Sequence, residues 1–369
     1  MKQTQEQLDF SETVKASLAG FWSLTEVQAY AEGDKKGLEG QVWTFLLERG
    51  LADLTVAEDL GGSGASLMDT LPVLLQGGAR LLPSSWVYRG LLPSLVMTGD
   101  SPAERELVST ILGGGRGWVF VDAGGGGTAG TQSRRGLSRA QILPVSKNLD
   151  VGVLGDAQLR VYEERQLAPF VTRHRTPDWT RSFSGLAMIS DDLEPARVVD
   201  IDADTMHDYR LRWRALQLLT VAADSVGGAQ RCLDISVEHA KARHQFGVAI
   251  GTFQAVKHRL VDVHAAVRLA ESALFHAAWL FDSEGASSRS LFTARIAKLL
   301  SSRAYFQASE TSIQVFGGMG FTWEVQCHWH VKRAMMNSIL ALEDARAEEE
   351  IFESLMETSV PMLLGDVLT

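Results

Sequence analysis

Two long stretches of helix-spaced apolar residues, joined at Arg243-His244-Gln245-Phe246-Gly247, constrain this chain more than any other feature. Upstream, Gln230 to Ala242 has neither Pro nor Gly. Its Leu233, Ile235, Val237 and Ala240 alternate with Asp234, Glu238, His239 and Lys241. Such spacing predicts a helix that delivers Arg243 to a bend at Gly247. Beyond the bend, Val256, Leu260, Val263, Val267, Ala270 and Leu274 recur every three or four residues, so Phe253 to about Asp282 reads as a second helix. One guanidinium is therefore presented at a fixed place. Its planar fork suits a pyrophosphate, to which it can donate two parallel hydrogen bonds. Taken alone, the segment fits a helical hairpin with a surface arginine equally well.

A second turn lies further on, at Gln314-Val315-Phe316-Gly317-Gly318-Met319-Gly320-Phe321-Thr322-Trp323-Glu324. It separates a helical run ending near Ser312 from one expected over about Val325 to Ser354. Its glycines let backbone turn sharply and approach a ligand closely. By itself a Gly-Gly-x-Gly is only a helix breaker.

In their order and spacing these two stretches resemble the acyl-CoA dehydrogenase family, where an R-x-x-F-G loop and a Q-x-x-G-G-x-G-F loop grip the ADP part of FAD. The resemblance runs through the C-terminal half and recurs faintly at Val56-Ala57-Glu58-Asp59-Leu60-Gly61-Gly62-Ser63-Gly64, with Ala57 where the family has proline. It implies an α+β, mainly α fold: an N-terminal helical domain (1–112), a small central β domain (113–200) and a C-terminal helical bundle (201–369). It also implies that Arg243, Gln245, Phe246, Gln314, Gly317 and Gly318 bind the cofactor.

Composition closes off other classes. The formal net charge of −10 and the ordinary 22% of charged residues argue against a nucleic-acid or membrane-surface binder. The polar start Met1-Lys2-Gln3-Thr4 has no apolar leader core, and no uncharged run is long enough to span a bilayer, so a cytoplasmic protein is expected. Cys232 and Cys327 carry no metal-motif neighbours. His328 and His330 lack a third ligand at metal spacing, and a helix surface is expected for them. No metal is expected.

In residues 113–200, strand-like pieces are expected at Trp118–Val121, Ala140–Val145, Leu149–Leu154, Gln158–Tyr162, Leu167–Val171 and Phe183–Ile189. The resemblance makes this domain the wall against the flavin ring. Here, however, Val119-Phe120-Val121-Asp122-Ala123 runs into four glycines, Gly124 to Gly127, in place of the family's Pro-Gly-Ala-Gly-Ser type of segment. A family-like fragment persists at Asp178-Trp179-Thr180-Arg181. The wall reads as degenerate.

Desaturation of an acyl-CoA needs a base for the α-proton, and a carboxylate in a dry pocket suits the task. The family's two positions for that glutamate fall on Ala341 and Gln217, and neither residue can take a proton. Asp224 and Glu343 are the nearby carboxylates, with a solvated or capping role expected for the first and a polar helix face for the second. The chain thus keeps what such a subunit lends its neighbour and lacks what it uses itself. That pattern resembles the smaller, FAD-poor subunit of heteromeric (α2β2) bacterial acyl-CoA dehydrogenases of steroid and related catabolism. The expected partners are a longer acyl-CoA dehydrogenase homologue, with FAD shared at the interface, an acyl-CoA substrate and an electron-accepting flavoprotein. A self-sufficient FAD-dependent homo-oligomer with a non-standard carboxylate is the alternative. A redox-inactive acyl-CoA or acyl-carrier binder is a third reading.

Overall fold

The computed structural model describes residues 4–33, 35–97, 102, 104–106, 109, 117–122, 141–143, 149–155, 157–187, 189 and 192–357. Gly124 to Gly127 and most of the expected closing helix at 104–112 lie outside them. Two compact units interleave along the chain. One comprises residues 1–28, 67–82 and 214–369, the other 29–66 and 83–213.

The first unit is helical. α1 (Gln5–Phe21) opens on a capping box, in which Thr4 and Gln7 satisfy each other's backbone N–H groups. α2 (Leu24–Glu32) begins in this unit, and α3 (Lys35–Leu47) belongs to the other. α4 (Leu67–Ala79) is held at its start by Asp282, whose carboxylate accepts from the backbone N–H groups of Leu67 (3.0 Å) and Met68 (2.8 Å). Such a cap sets a negative charge at the positive end of the helix dipole.

A helix of 40 residues, Ala203–Ala242, continues unbroken through Gly227-Gly228. Here the glycines serve packing. A Cβ on Gly227 would lie 1.9 Å from the Leu75 carbonyl oxygen, and one on Gly78 would lie 2.0 Å from that of Asp224. α4 therefore crosses the long helix with backbone against backbone. Gly228, turned to another side, accepts the Tyr305 ring, which a Cβ would meet at 2.3 Å. Helices Gln254–Glu284 and Ser288–Phe316 follow, antiparallel neighbours whose buried Leu260, Val263, Val267, Tyr305 and Ala308 form one cluster with Cys232 and Leu233 of the long helix. The expected apolar stripe is the buried one.

The final helical run is not continuous, contrary to expectation. It divides into Cys327–Ile339 and Asp344–Glu357, with Ala341 in left-handed backbone at φ 62°. The cause is a buried lysine. Lys298 Nζ donates to the Ser338 carbonyl at 2.9 Å, to the Leu342 carbonyl and to the Asp344 carboxylate at 2.6 Å. It thereby collects the end of one helix and the start of the next. No glycine or proline announces this break in the sequence.

His328 and His330 are also not on a helix surface. His330 is fully buried, its Nδ1 2.7 Å from the Tyr305 hydroxyl. His328 is 8% exposed, 4.3 Å from the Trp329 ring centroid and 6.3 Å from that of Trp323. The aromatic residues on either side bury it, an effect that ligand spacing could not reveal.

The second unit holds the two larger sheets. Strands Gly117–Asp122, Leu149–Leu154, Gln158–Tyr162 and Arg197–Asp200 form a four-stranded sheet in that order, parallel at the first pair and antiparallel thereafter. Gln141–Leu143, Phe183–Leu186 and Val171–His174 make a three-stranded antiparallel sheet. The strand expected over Leu167–Val171 is mostly turn. A capping box between Glu163 and Gln166 starts one helical turn, Pro169 sits in a 3-10 turn, and extension begins only at Val171. Arg197–Asp200 has too little alternation for local pattern to predict a strand there.

Buried charge ties this unit together. Asp178 accepts from Thr180 N (2.9 Å) and Arg181 Nε (2.6 Å), with both ionic side chains almost wholly buried. Tyr30 donates to Glu39 at 2.5 Å and lies 3.1 Å from the Ser182 hydroxyl. Burial, with Glu39 beside it, pushes the Tyr30 hydroxyl far above its usual value.

Two tests follow from the packing. Gly227→Ala is expected to cost about 2–4 kcal/mol, because the new methyl meets backbone that cannot yield. Gly20→Ala, whose Cβ would have nothing within 4 Å, is expected to be neutral or to gain about 0.5–1 kcal/mol. Urea unfolding at one temperature measures both. The second test concerns His328, whose pKa burial lowers from 6.5 to about 4, with Lys332 adding to the effect. The unfolded chain binds this proton and the fold does not, so stability is complete above about pH 6.5 and declines as pH falls toward 4. The loss is at most on the order of 3 kcal/mol. Melting temperatures of wild type and His328→Phe between pH 7 and 5 should show a shallower slope for the variant.

Candidate functional site

The long helix ends where Arg243 N–H donates to the His239 carbonyl at 2.8 Å. From there the chain forms a two-stranded ribbon, with His244 paired to Ala249 and Gln245 to Val248. Ile250 N–H closes it on the Arg243 carbonyl at 2.8 Å. Phe246 (φ 53°) and Gly247 (φ 81°) form the tip. Positive φ at both central residues is what a tight hairpin turn needs, and glycine supplies it freely. For phenylalanine it costs about 1–2 kcal/mol, and the ring gains little burial in return, being 92% exposed and only edge-on to Phe253 at 6.2 Å. Arg243, His244, Gln245 and Phe246 are all exposed.

The second turn begins at the end of helix Ser288–Phe316. Its three glycines do different things. Gly320 is buried against Ile313, whose Cα a Cβ would meet at 3.1 Å. Gly317, at φ 62°, and Gly318 would meet nothing within 4 Å. Two of the three thus face open space and one serves packing. Gln314, Gly317 and Gly318 are exposed, as are Met319, Phe321 and Trp323. The helix ends that carry the two turns touch at a ring pair, His239 lying flat on Phe316 with centroids 4.1 Å apart.

Residues at the positions considered for a base are in different surroundings. Gln217 is half-buried, and its carbonyl accepts from Thr220 Oγ1. Ala341 is exposed within the helix break. Asp224 is neither solvated nor capping, as had been expected. Its carboxylate accepts from Asn337 Nδ2 at 2.8 Å and lies 3.7 Å from Nε of Arg333, a fully buried guanidinium that also donates to the Leu82 carbonyl. The apolar neighbours of Asp224 in sequence hid this partner, since Arg333 is remote along the chain. Glu343 is exposed in the break. Its neighbour Asp344 is the one engaged by Lys298, and burial drives the lysine's pKa down and the aspartate's up.

Among the described residues no group of three His, Cys, Asp or Glu could hold a metal ion, and no helix is long and apolar enough to cross a membrane. Cys232 and Cys327 are buried free thiols, raised above their usual pKa by burial.

Comparison with known proteins places this geometry. Residues 217–344 match the acyl-CoA dehydrogenase C-terminal domain. The chain is 28% identical over 362 residues to the acyl-CoA dehydrogenase IpdE2 of Mycobacterium tuberculosis, covering 96% of this chain and 100% of that protein. Its fold is similar to the ChsE4–ChsE5 complex of Mycobacterium tuberculosis, with a TM-score of 0.77 at 20% identity over 97% of this chain and 99% of the other. It is also similar to PigA solved with FAD and proline, with a TM-score of 0.74 at 19% identity over 99% and 100% of the two chains. The chain thus carries an acyl-CoA dehydrogenase C-terminal domain over residues 217–344, is similar along nearly its whole length to a protein of that type, and shares the fold.

Proposed function

We propose that this chain is the FAD-completing, non-catalytic subunit of a heteromeric acyl-CoA dehydrogenase. In this reading Arg243, Gln245 and Phe246 of the ribbon, with Gln314, Gly317 and Gly318 of the second turn, hold the diphosphate end of an FAD seated mainly in a longer homologous chain. The observation that carries it is an asymmetry. The two turns are fully built and open to solvent, while the positions for a base hold no free carboxylate.

The residues present fit FAD on the side that binds phosphate. One turn carries an exposed guanidinium, and the other carries glycines whose missing Cβ atoms leave open space. Arg243 can grip a phosphate through two donors, and the bare backbone at Gly317-Gly318 permits close approach. When bound, FAD supplies a hydride acceptor for an acyl-CoA whose α-proton goes to a base.

Among the described residues, the positions considered for that base do not supply it. Neither Ala341, in left-handed backbone within the helix break, nor Gln217 can abstract a proton. Asp224 is committed to Asn337 and Arg333, and Glu343 points from an exposed break. The ChsE4–ChsE5 complex supports the heteromer as a type of assembly. Steroid-derived acyl groups belong to this proposal as a substrate class, and a flavoprotein as electron acceptor.

The test is purification. Expressed alone, the chain should be colourless and should not reduce an acceptor dye with any acyl-CoA. Purified with a longer acyl-CoA dehydrogenase homologue it should give a yellow complex. A yellow, active assembly of this chain alone would overturn the reading and favour the self-sufficient alternative, with Asp224→Asn and Glu343→Gln then deciding the base. Within the complex, Arg243→Ala should weaken FAD retention about 10- to 150-fold, the equivalent of a charge-assisted pair worth about 1.5–3 kcal/mol. Arg243→Lys should recover only part, since the ammonium lacks the fork. Flavin absorbance after dialysis measures both.

A further inference from the structure

We infer that His239 is a positioning residue: by stacking on Phe316 it fixes the Arg243 ribbon against the Gly317-Gly318 turn, so that both meet one cofactor at a set separation. The inference rests on the cofactor reading above for its purpose, though not for its geometry. His239 stands one helical turn before Arg243, and its carbonyl receives the Arg243 N–H at 2.8 Å. Phe316 is the last residue of its helix, directly before Gly317. The two rings are 20° from parallel with centroids 4.1 Å apart. Each partner thus sits at the root of one turn, and the pair links elements far apart in sequence.

The arrangement suits this task better than core filling. Both rings are half-buried, above the cluster on which Val237 and Val315 pack. Those two valines precede His239 and Phe316 by two residues and one, so the buried layer aligns the helices and the ring pair aligns their ends. Each turn is otherwise held by its own local hydrogen bonds, such as Ile250 N–H to the Arg243 carbonyl and Thr322 N–H to the Met319 carbonyl. Those bonds shape each turn, while Ile250 and Val315 seat both on one buried cluster and the ring pair adds a contact directly between their roots. Burial and the neighbouring Arg243 lower the His239 pKa, so the ring that stacks is the neutral one near pH 7. A flat neutral imidazole adds no second positive charge beside the guanidinium.

Hydrogen exchange of the full chain in its purified complex tests the linkage directly. In His239→Ala, amides of both 243–250 and 317–322 should exchange about five- to tenfold faster, as expected for losing one stacked ring pair. His239→Phe, which keeps a flat ring, should exchange like wild type. Phe316→Leu should loosen the Arg243 ribbon from the opposite side, and it serves equally should His239→Ala fold poorly. Faster exchange confined to the mutated side, or a Phe variant as loose as the Ala variant, would overturn the inference. Flavin retention supplies a second readout: it should fall in His239→Ala and return in His239→Phe. If it stays constant while Arg243→Ala loses flavin, the positioning role fails. If Arg243→Ala also keeps its flavin, the cofactor reading fails instead, and the exchange result still decides the linkage.

Discussion

The crossing of α4 with the long helix is the contact on which the rest of the helical unit depends. With Gly78 on one side and Gly227 on the other, the backbones approach more closely than any side chain permits. Glycine is a weak helix former, worth roughly 1 kcal/mol less than alanine in a helix interior. Its presence here is explained by dispersion and backbone approach along the crossing. The crossing also places the polar groups that surround it. Asp224, whose carbonyl touches Gly78, turns its carboxylate to Asn337, and Arg333 reaches the carbonyl of Leu82. Removing either member of such a buried set leaves the other uncompensated, which is why the set holds three segments together.

From this crossing a rigid line leads to the site. The long helix runs without a break from Gly227 to Ala242, so its end is fixed by packing rather than by the ribbon. On the neighbouring helix, Tyr305 lies against Gly228 and bonds to His330, which anchors the helix that ends at Phe316. The strained Phe246 and the open glycines at 317 and 318 are therefore carried by well-packed supports. A residue in left-handed backbone with an exposed ring persists only where its surroundings hold it. Functional groups on loops positioned by a rigid scaffold follow the same rule.

Much of this was legible in the sequence where one period dominates. The apolar stripe of Gln254–Glu284, the bend after Arg243 and the alternation of Leu149–Leu154 and Gln158–Tyr162 all fall where local pattern predicts. What escaped was set by partners remote in sequence. Lys298 breaks a helix more than 40 positions away, and no residue of that helix signals it. Arg333 turns Asp224 from a surface group into a structural one. Trp323 and Trp329 bury a histidine that spacing alone leaves on the surface. The ribbon itself was missed because its strands are two residues long, too short for any period.

The break at Ala341 bears most directly on what the chain can do. Lys298 holds it with donors to two carbonyls and a carboxylate, so the backbone geometry of the turn is maintained although Ala341 itself offers no proton acceptor. A turn of this kind is costly to build: it takes a cation out of water and places a non-glycine residue at positive φ. The turn serves the fold by ending one helix and starting the next. The shape of this segment is therefore kept by the helices it connects, which must pack whatever residue stands at 341. On the proposed reading, that is how the chain retains the turns it offers a partner while Ala341 and Gln217 take no proton.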